Sequence, residues 1–305
     1  MSYSGTSFAV SLAIGSPTNV VEQVTIPTTT PDETLKKVIA KLLEWKVDTI
    51  GIGSFGPVDL NRASSTYGYI TSTPKLAWQN TPIYSTIKKG VEEGLRKAIP
   101  VGFTTDVNAA ALAELHYGGH GNDVSSLAYV TIGTGIGVGL VTNHQVVEGL
   151  MHPEAGHVKV LRHELDSFPG ICPFHKSCLE GLATANACAG KLGIPISELS
   201  SVEDTHVVWD FEAYYLGQLC EILTLTMSPH VIILGGGVAR RQSLFPAVRK
   251  YLLELLAGYI SVDKIVNHVD EYIKPSKFNA PDSKTTSGAV GALHLALEAY
   301  KRKSE

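Results

Sequence analysis

The stretch Cys172-Pro173-Phe174-His175-Lys176-Ser177-Cys178 places three soft ligands at three-residue spacing. Tetrahedral zinc takes four N/S donors, and a C-x2-H-x2-C loop supplies three of them. Spacing alone leaves the fourth open, because His152, His157 and His163 all lie upstream. A Cys172–Cys178 disulfide is the competing reading; zinc is preferred because short mixed Cys/His spacings are seldom coincidental. Glu154 and Glu180 flank the ligands. A metal that pins this loop would also fix two carboxylate acceptors, which suits a polyhydroxyl substrate.

Asp106 follows an apolar run, Val101–Thr105, and precedes Val107-Asn108-Ala109-Ala110-Ala111-Leu112-Ala113-Glu114, a strong helix former. It reads either as the N-cap of that helix or as a general base at the carboxyl end of a strand, where α/β sheets place ligands. Gly133-Thr134-Gly135-Ile136-Gly137 lies between two strand patterns, so it is a hairpin and not a Walker loop. Its backbone N–H groups could cradle an anion, with Thr131 and Thr134 adding hydroxyls. Gly235-Gly236-Gly237 leaves a buried strand and either allows close approach to a flat ligand or is a tight turn. Gly51-Ile52-Gly53-Ser54-Phe55-Gly56 matches the dinucleotide fingerprint but fails its context. Pro57 stands where a helix should start, and no acidic residue lies between Asp59 and Glu92. A glycine turn at the mouth of a cleft is expected there.

These residues need a scaffold, and the pattern is alternating strand and helix, an α/β arrangement. Phe8–Ile14 and Val20–Ile26 read as a strand hairpin across Gly15-Ser16-Pro17, and Pro31 to Trp45 as a helix. Val47–Ile52 reads as a buried strand, Ile83–Ala98 as a helix, and Val101–Thr105 as a strand. A second cycle runs through strands Leu127–Ile132 and Val138–Thr142, helix Phe211–Met227 and strand Val231–Leu234, and helix Ser287–Lys301 closes the chain. The recurrence predicts two α/β lobes with a cleft between them and a boundary near Gly118–Gly121. The 305 residues suffice for that, and 44% hydrophobic with 18% charged residues is ordinary for a globular chain. A net charge of -4 offers no case for nucleic acid or an anionic membrane. No signal peptide or spanning segment is evident. The four cysteines do not form a secreted disulfide framework, so a reducing, cytoplasmic setting is expected.

Asp106-Val107-Asn108-Ala109-Ala110, Gly133 to Gly137, Glu154-x-x-His157, the Cys/His cluster and Leu234-Gly235-Gly236-Gly237 occur in the order of the ROK sugar kinases. The chain resembles their bacterial-type fructokinase branch most, through Gly51 to Asp59, Thr73-Pro74-Lys75 and Cys172-Pro173-Phe174-His175. That resemblance runs from about Ser4 to the last helix. It implies the two-lobed actin-like ATPase (ribonuclease H-like) fold, with residues 1–119 and 288–305 in a smaller lobe and 120–287 in a larger one carrying the zinc loop. It implies ATP-dependent phosphorylation of fructose to fructose 6-phosphate with Asp106 as base, or of another hexose. Asn108, Glu154, His157 and Glu180 would bind the sugar. Gly5, Thr6, Thr131, Gly133, Thr134, Gly135, Gly235, Gly236 and Gly237 would bind nucleotide. The resemblance selects His157 as fourth ligand of a structural Zn2+ held with Cys172, His175 and Cys178. Mg2+ would accompany ATP, and a homodimer is implied.

At the N-terminus the chain departs from that family. Only Gly5-Thr6 matches the expected phosphate loop; Ser4 replaces a glycine, Ser7 stands at a lysine position and Ser2 where an acidic residue is expected. The strand that precedes this motif is expected to be missing, which would leave an open slot in the first sheet with exposed backbone groups on its neighbours. A sugar-binding protein with impaired catalysis is the corresponding alternative.

Overall fold

The computed structural model describes residues 2–4 and 7–304. The chain divides into two compact units. Unit 1 comprises residues 1–119, 146–153 and 283–305, and unit 2 comprises 120–145 and 154–282.

Unit 1 opens with strands β1 (Ser2–Ser4), β2 (Ser7–Ala13) and β3 (Val20–Pro27), then helix α1 (Pro31–Trp45), strand β4 (Ile50–Ser54), helix α2 (Ile83–Leu95), strand β5 (Val101–Thr105) and helix α3 (Asp106–Tyr117). The sheet order is β3-β2-β1-β4-β5. β2 and β3 form an antiparallel hairpin, and β4 runs parallel to β5. The slot expected to stand open holds β1, antiparallel to β2 through Ser2↔Ala9 and parallel to β4 through Ser2↔Gly53. The correction has a simple cause: three residues of extended chain are enough to bridge two strand edges.

Strand β4 shows why the first glycine run is there. Side chains alternate across a strand. Ile50 and Ile52 point into a core with Phe8, Val10, Leu35, Val38, Ile83, Ile87 and Val91. Gly51 and Gly53 face the other way. A Cβ on Gly51 would stand 1.7 Å from the Ala292 carbonyl, and one on Gly53 would stand 3.0 Å from Ala109 Cβ and 3.3 Å from Asp106 Cα. These glycines are therefore not a turn at a cleft mouth, as expected, but part of the strand, where they let helices approach the sheet. The strand begins at Ile50, later than the Val47 start that the sequence pattern suggested.

The chain continues in unit 2 with β6 (Leu127–Ile132), β7 (Ile136–Thr142) and β8 (Gln145–Val146, whose second residue falls in unit 1), then α4 (Leu179–Leu182), α5 (Ala185–Leu192), α6 (Val207–Met227), β9 (Val231–Gly235), α7 (Leu244–Leu256), α8 (Asp263–Val266), α9 (Val269–Tyr272) and β10 (Ile273–Pro275). The second sheet has the order β10-β9-β6-β7-β8. β6 is antiparallel to β7 and parallel to β9, so the glycine hairpin and the Gly235–Gly237 exit turn leave from adjacent strands. Helix α10 (Ser287–Ser304) belongs to unit 1 and packs on α3, β4 and β5. Among the described residues no helix is long and apolar enough to cross a membrane.

Candidate active site

In unit 1, Asp106 occupies the first position of α3 at the carboxyl end of β5. The cap is Thr105, whose side chain accepts from Asn108 N at 3.1 Å. The capping role read for Asp106 is thus corrected by one residue: Thr105 is extended and its Oγ1 reaches back, as an N-cap must. Asp106 Oδ1 accepts from Val107 N at 2.8 Å, and a helix N-terminus favours the negative charge it carries. Asn108 is buried, with Nδ2 donating to Thr104 Oγ1 at 3.2 Å. Its amide braces the start of α3 against β5. Gly5 and Thr6 lie outside the described residues.

In unit 2, one ligand atom from each of His157, Cys172, His175 and Cys178 lies within 4.8 Å of the others. All four cysteines are free thiols, so the Cys172–Cys178 disulfide does not form. His157 Nδ1 is 3.8 Å from Cys172 Sγ and 3.6 Å from Cys178 Sγ, and His175 Nδ1 is 3.7 Å from Cys172 Sγ. Zinc bonds of about 2.3 Å to sulfur and about 2.0–2.1 Å to nitrogen give a tetrahedral S···N edge of about 3.6 Å. The donor set and its spacing fit zinc. Burial pushes the Cys178 thiol up to about 11, so a cation is what would stabilise its thiolate. The other candidate histidines are engaged elsewhere. His152 Nε2 accepts from Val58 N at 3.1 Å, and His163 Nδ1 accepts from Leu165 N at 3.2 Å.

Local geometry explains how His157 reaches the loop. It ends a short 3-10 turn, Ala155–His157, in which Glu154 O accepts from His157 N at 3.0 Å. That turn lies flush on β7: a Cβ on Gly156 would stand 1.9 Å from the Ile136 carbonyl. Leu179 N then donates to Val158 O at 3.0 Å, tying the ligand loop to the same segment. Glu154 is exposed, and Glu180 is half-buried. Glu180 is committed in a way its sequence position did not reveal. Its Oε2 accepts from Ile136 N at 3.1 Å in the glycine hairpin, and its Oε1 faces His157 Nε2 at 3.8 Å. That gap is too long for a direct hydrogen bond. A hydroxyl oxygen about 2.8 Å from each atom would bridge it.

The hairpin Gly133-Thr134-Gly135 connects β6 to β7, with Gly133 N donating to Gly135 O at 3.0 Å and Thr131 in β6 just before it. Gly236 has φ +87°, and a Cβ there would stand 2.4 Å from Ile132 O, which brings the end of β9 against the base of the hairpin. Asn279 Nδ2 donates to Gly236 O at 2.9 Å and holds that turn. Gly237 opens into a pocket of about 630 Å3, lined by Leu199, Ser200, Asp204, Trp209, Arg241 and Ser243 among others. The Arg241 guanidinium carbon stands 4.0 Å from the Trp209 ring centroid, Arg241 pairs with Asp204, and Arg241 Nη2 donates to Val202 O at 3.0 Å. Sequence reasoning missed Trp209, Asp204 and Arg241. The available signal was the Arg240-Arg241 pair shortly after the glycine run.

The ROK family model matches residues 4–299. The chain belongs to the ROK family. A fructokinase of Streptococcus mutans is 41% identical over 288 residues, spanning 93% of this chain and 92% of that protein. A fructokinase of Lactococcus lactis subsp. cremoris is 38% identical over 300 residues, spanning 98% and 96%. The crystal structure of a ROK family glucokinase from Streptomyces griseus in complex with glucose and AMPPNP superposes with a TM-score of 0.71 at 21% identity, covering 97% of each chain. At that identity the likeness speaks for the fold, which is the two-lobed actin-like ATPase fold of the ROK sugar kinases.

Proposed function

We propose that this chain transfers the γ-phosphoryl group of ATP to the 6-hydroxyl of D-fructose, with Asp106 as the general base. It is an ATP-dependent sugar kinase of the ROK family, and the match to fructokinases over nearly its full length carries the choice of fructose. Asp106 accepts the proton of the attacking hydroxyl. A carboxylate is a weak base. The reaction tolerates this because phosphoryl transfer passes through a loose transition state governed by positioning and charge stabilisation. Glu154, His157 and Glu180 hold sugar hydroxyls, and the 3.8 Å gap between His157 Nε2 and Glu180 Oε1 supports one such hydroxyl there. The backbone N–H groups of Gly133 to Gly135, with Thr131 and Thr134, receive phosphates. The pocket beside Gly237 and Trp209 takes the base of the nucleotide.

ATP would be used as its Mg2+ complex, the cation supplying charge neutralisation on the phosphates. His157, Cys172, His175 and Cys178 would hold a structural zinc, which would fix the loop and, through His157, one wall of the sugar site. The test is ADP release with Mg-ATP against fructose, mannose, glucose and no sugar. Fructose should give the highest kcat/KM, and Asp106→Asn should lower kcat by about 10²–10⁴-fold. Faster turnover of mannose or glucose would overturn the substrate, and an active Asp106→Asn enzyme would overturn the base.

A further inference from the structure

Residues 146–153 form a strap that is assigned to unit 1 although the chain on either side of it belongs to unit 2. Exposure along the strap is inverted with respect to hydropathy. Leu150 is 101% exposed and Met151 52%, whereas His152 is 4% exposed. The buried imidazole is held by specific geometry. Its Nε2 accepts from Val58 N at 3.1 Å, and its ring edge lies on Gly56, where a Cβ would stand 3.2 Å from Cε1. Accepting a backbone N–H requires Nε2 to be unprotonated, which places the neutral ring's proton on Nδ1. That atom faces Pro153 O at 3.4 Å.

The receiving loop is itself firmly tied. Pro57 O accepts from Thr71 N at 2.8 Å and from Thr71 Oγ1 at 3.1 Å. Asp59 N donates to Tyr69 O at 2.9 Å, and Asp59 O accepts from Gly68 N at 2.8 Å. An apolar side chain from Leu150 or Met151 could have filled the same space. It would have left Val58 N–H without this acceptor, at the cost of an unsatisfied buried donor. The position therefore demands an acceptor at one defined point, which fixes the strap in register rather than merely burying it. Two residues further along the chain is Glu154.

We infer that His152 is a positioning residue for sugar binding: by locking the strap onto the Gly56–Val58 loop it fixes the backbone from which Glu154 presents its carboxylate. This rests on the sugar-kinase reading of Glu154. Truncation to alanine removes the acceptor and releases the strap; glutamine keeps a carbonyl oxygen able to take the Val58 N–H. For His152→Ala, the KM for fructose should rise about tenfold, the scale of one lost buried hydrogen bond. The KM for Mg-ATP should stay within about twofold, and His152→Gln should recover part of the loss.

Hydrogen–deuterium exchange gives a second readout independent of turnover. Amides of residues 149–156 should exchange about tenfold faster in the alanine variant than in wild type, with protection regained in His152→Gln. A purely structural role would lower the melting temperature without moving the fructose KM apart from the ATP KM. Unchanged fructose KM in a folded alanine variant, or unchanged exchange across 149–156, would overturn the assignment. If both His152 variants fail to fold, Gly56→Ala, which pushes on the ring, should move the same two readouts in the same direction; no change in either would again overturn it. Wild-type protein that turns over no sugar would sink the kinase reading, while the exchange experiment would still decide whether His152 locks the strap.

Discussion

Gly156→Ala should disable the proposed zinc site without touching any of its four candidate ligands. The new Cβ would stand 1.9 Å from the Ile136 carbonyl oxygen and 2.9 Å from its carbon. Ordinary non-bonded contacts sit at about 3.5 Å, so the 3-10 turn must lift from β7 by more than about 1 Å. Overpacking of this kind costs about 1–3 kcal/mol when neighbours can yield, and the atoms it meets here are mostly backbone. His157 is the next residue, and its Nδ1 now stands 3.6 Å and 3.8 Å from the two cysteine sulfurs. Lifting the turn by about 1 Å carries that nitrogen out of reach of a tetrahedral zinc, whose bond lengths tolerate about ±0.2 Å. The expected result is zinc well below one ion per chain by plasma mass spectrometry, a lower melting temperature, and a raised fructose KM. Gly133→Ala is the control for metal content, because a Cβ there meets nothing within 4 Å. Full zinc and an unchanged fructose KM in folded Gly156→Ala would refute the idea that this close approach seats His157.

Two further outcomes follow from buried groups in unit 2. Cys178→Ser, at a fully buried position, should bring zinc content toward zero and make stability insensitive to chelator; wild-type stoichiometry would remove Cys178 from the ligand set. Glu212 is fully buried and its carboxyl is pushed up to about 8, chiefly by desolvation, with Lys191 opposing. It stays protonated in the folded chain where the unfolded chain has lost the proton. Stability should therefore fall as pH rises from about 4.5 to about 8, by at most about 1.4 kcal/mol per pH unit from this group, and then level off. Urea unfolding of Glu212→Gln should show a flatter profile over that window; an identical slope would show that Glu212 is not the group responsible.

Local signals were readable where they were self-contained. Pro31 and Trp45 bound α1 because Pro suits the first helical turn and Thr30 caps it. Val101–Thr105 emerged with its observed ends because the helix former after it begins abruptly. The spacing of Cys172, His175 and Cys178 on one loop was equally plain, and the fold gathers them with His157. What stayed hidden depended on distant chain. Thr105 and Asp106 are both good cap residues by composition or position, and only the backbone, with Thr105 extended, decides between them. Gly51 and Gly53 look like a turn until α10 and α3, both far along the chain, are laid across the strand. Three nearby histidines were candidates to complete the Cys/His cluster, and spacing could not separate them. The hydrogen bonds that engage His152 and His163 elsewhere do.

Glu180 shows most clearly why the site exceeds its motifs. In sequence it is an acidic residue two positions after Cys178, and its expected task was to hold sugar. In the fold its carboxylate is divided. One oxygen accepts from Ile136 N–H at the hairpin that is proposed to receive phosphates, and the other faces the imidazole of His157 in the Cys/His cluster. A Cβ on Gly135 would stand 2.9 Å from Glu180 Oε2, so the hairpin's glycine is what lets the carboxylate come so close. The ligand loop, the His157 turn and the glycine hairpin thus meet at one side chain. Fixing any one of them narrows the freedom of the other two, because a carboxylate has only two oxygens and here both face defined partners. A metal held by the Cys/His cluster would therefore stiffen the loop that carries Glu180, and Glu180 in turn accepts from the hairpin at Ile136 N–H.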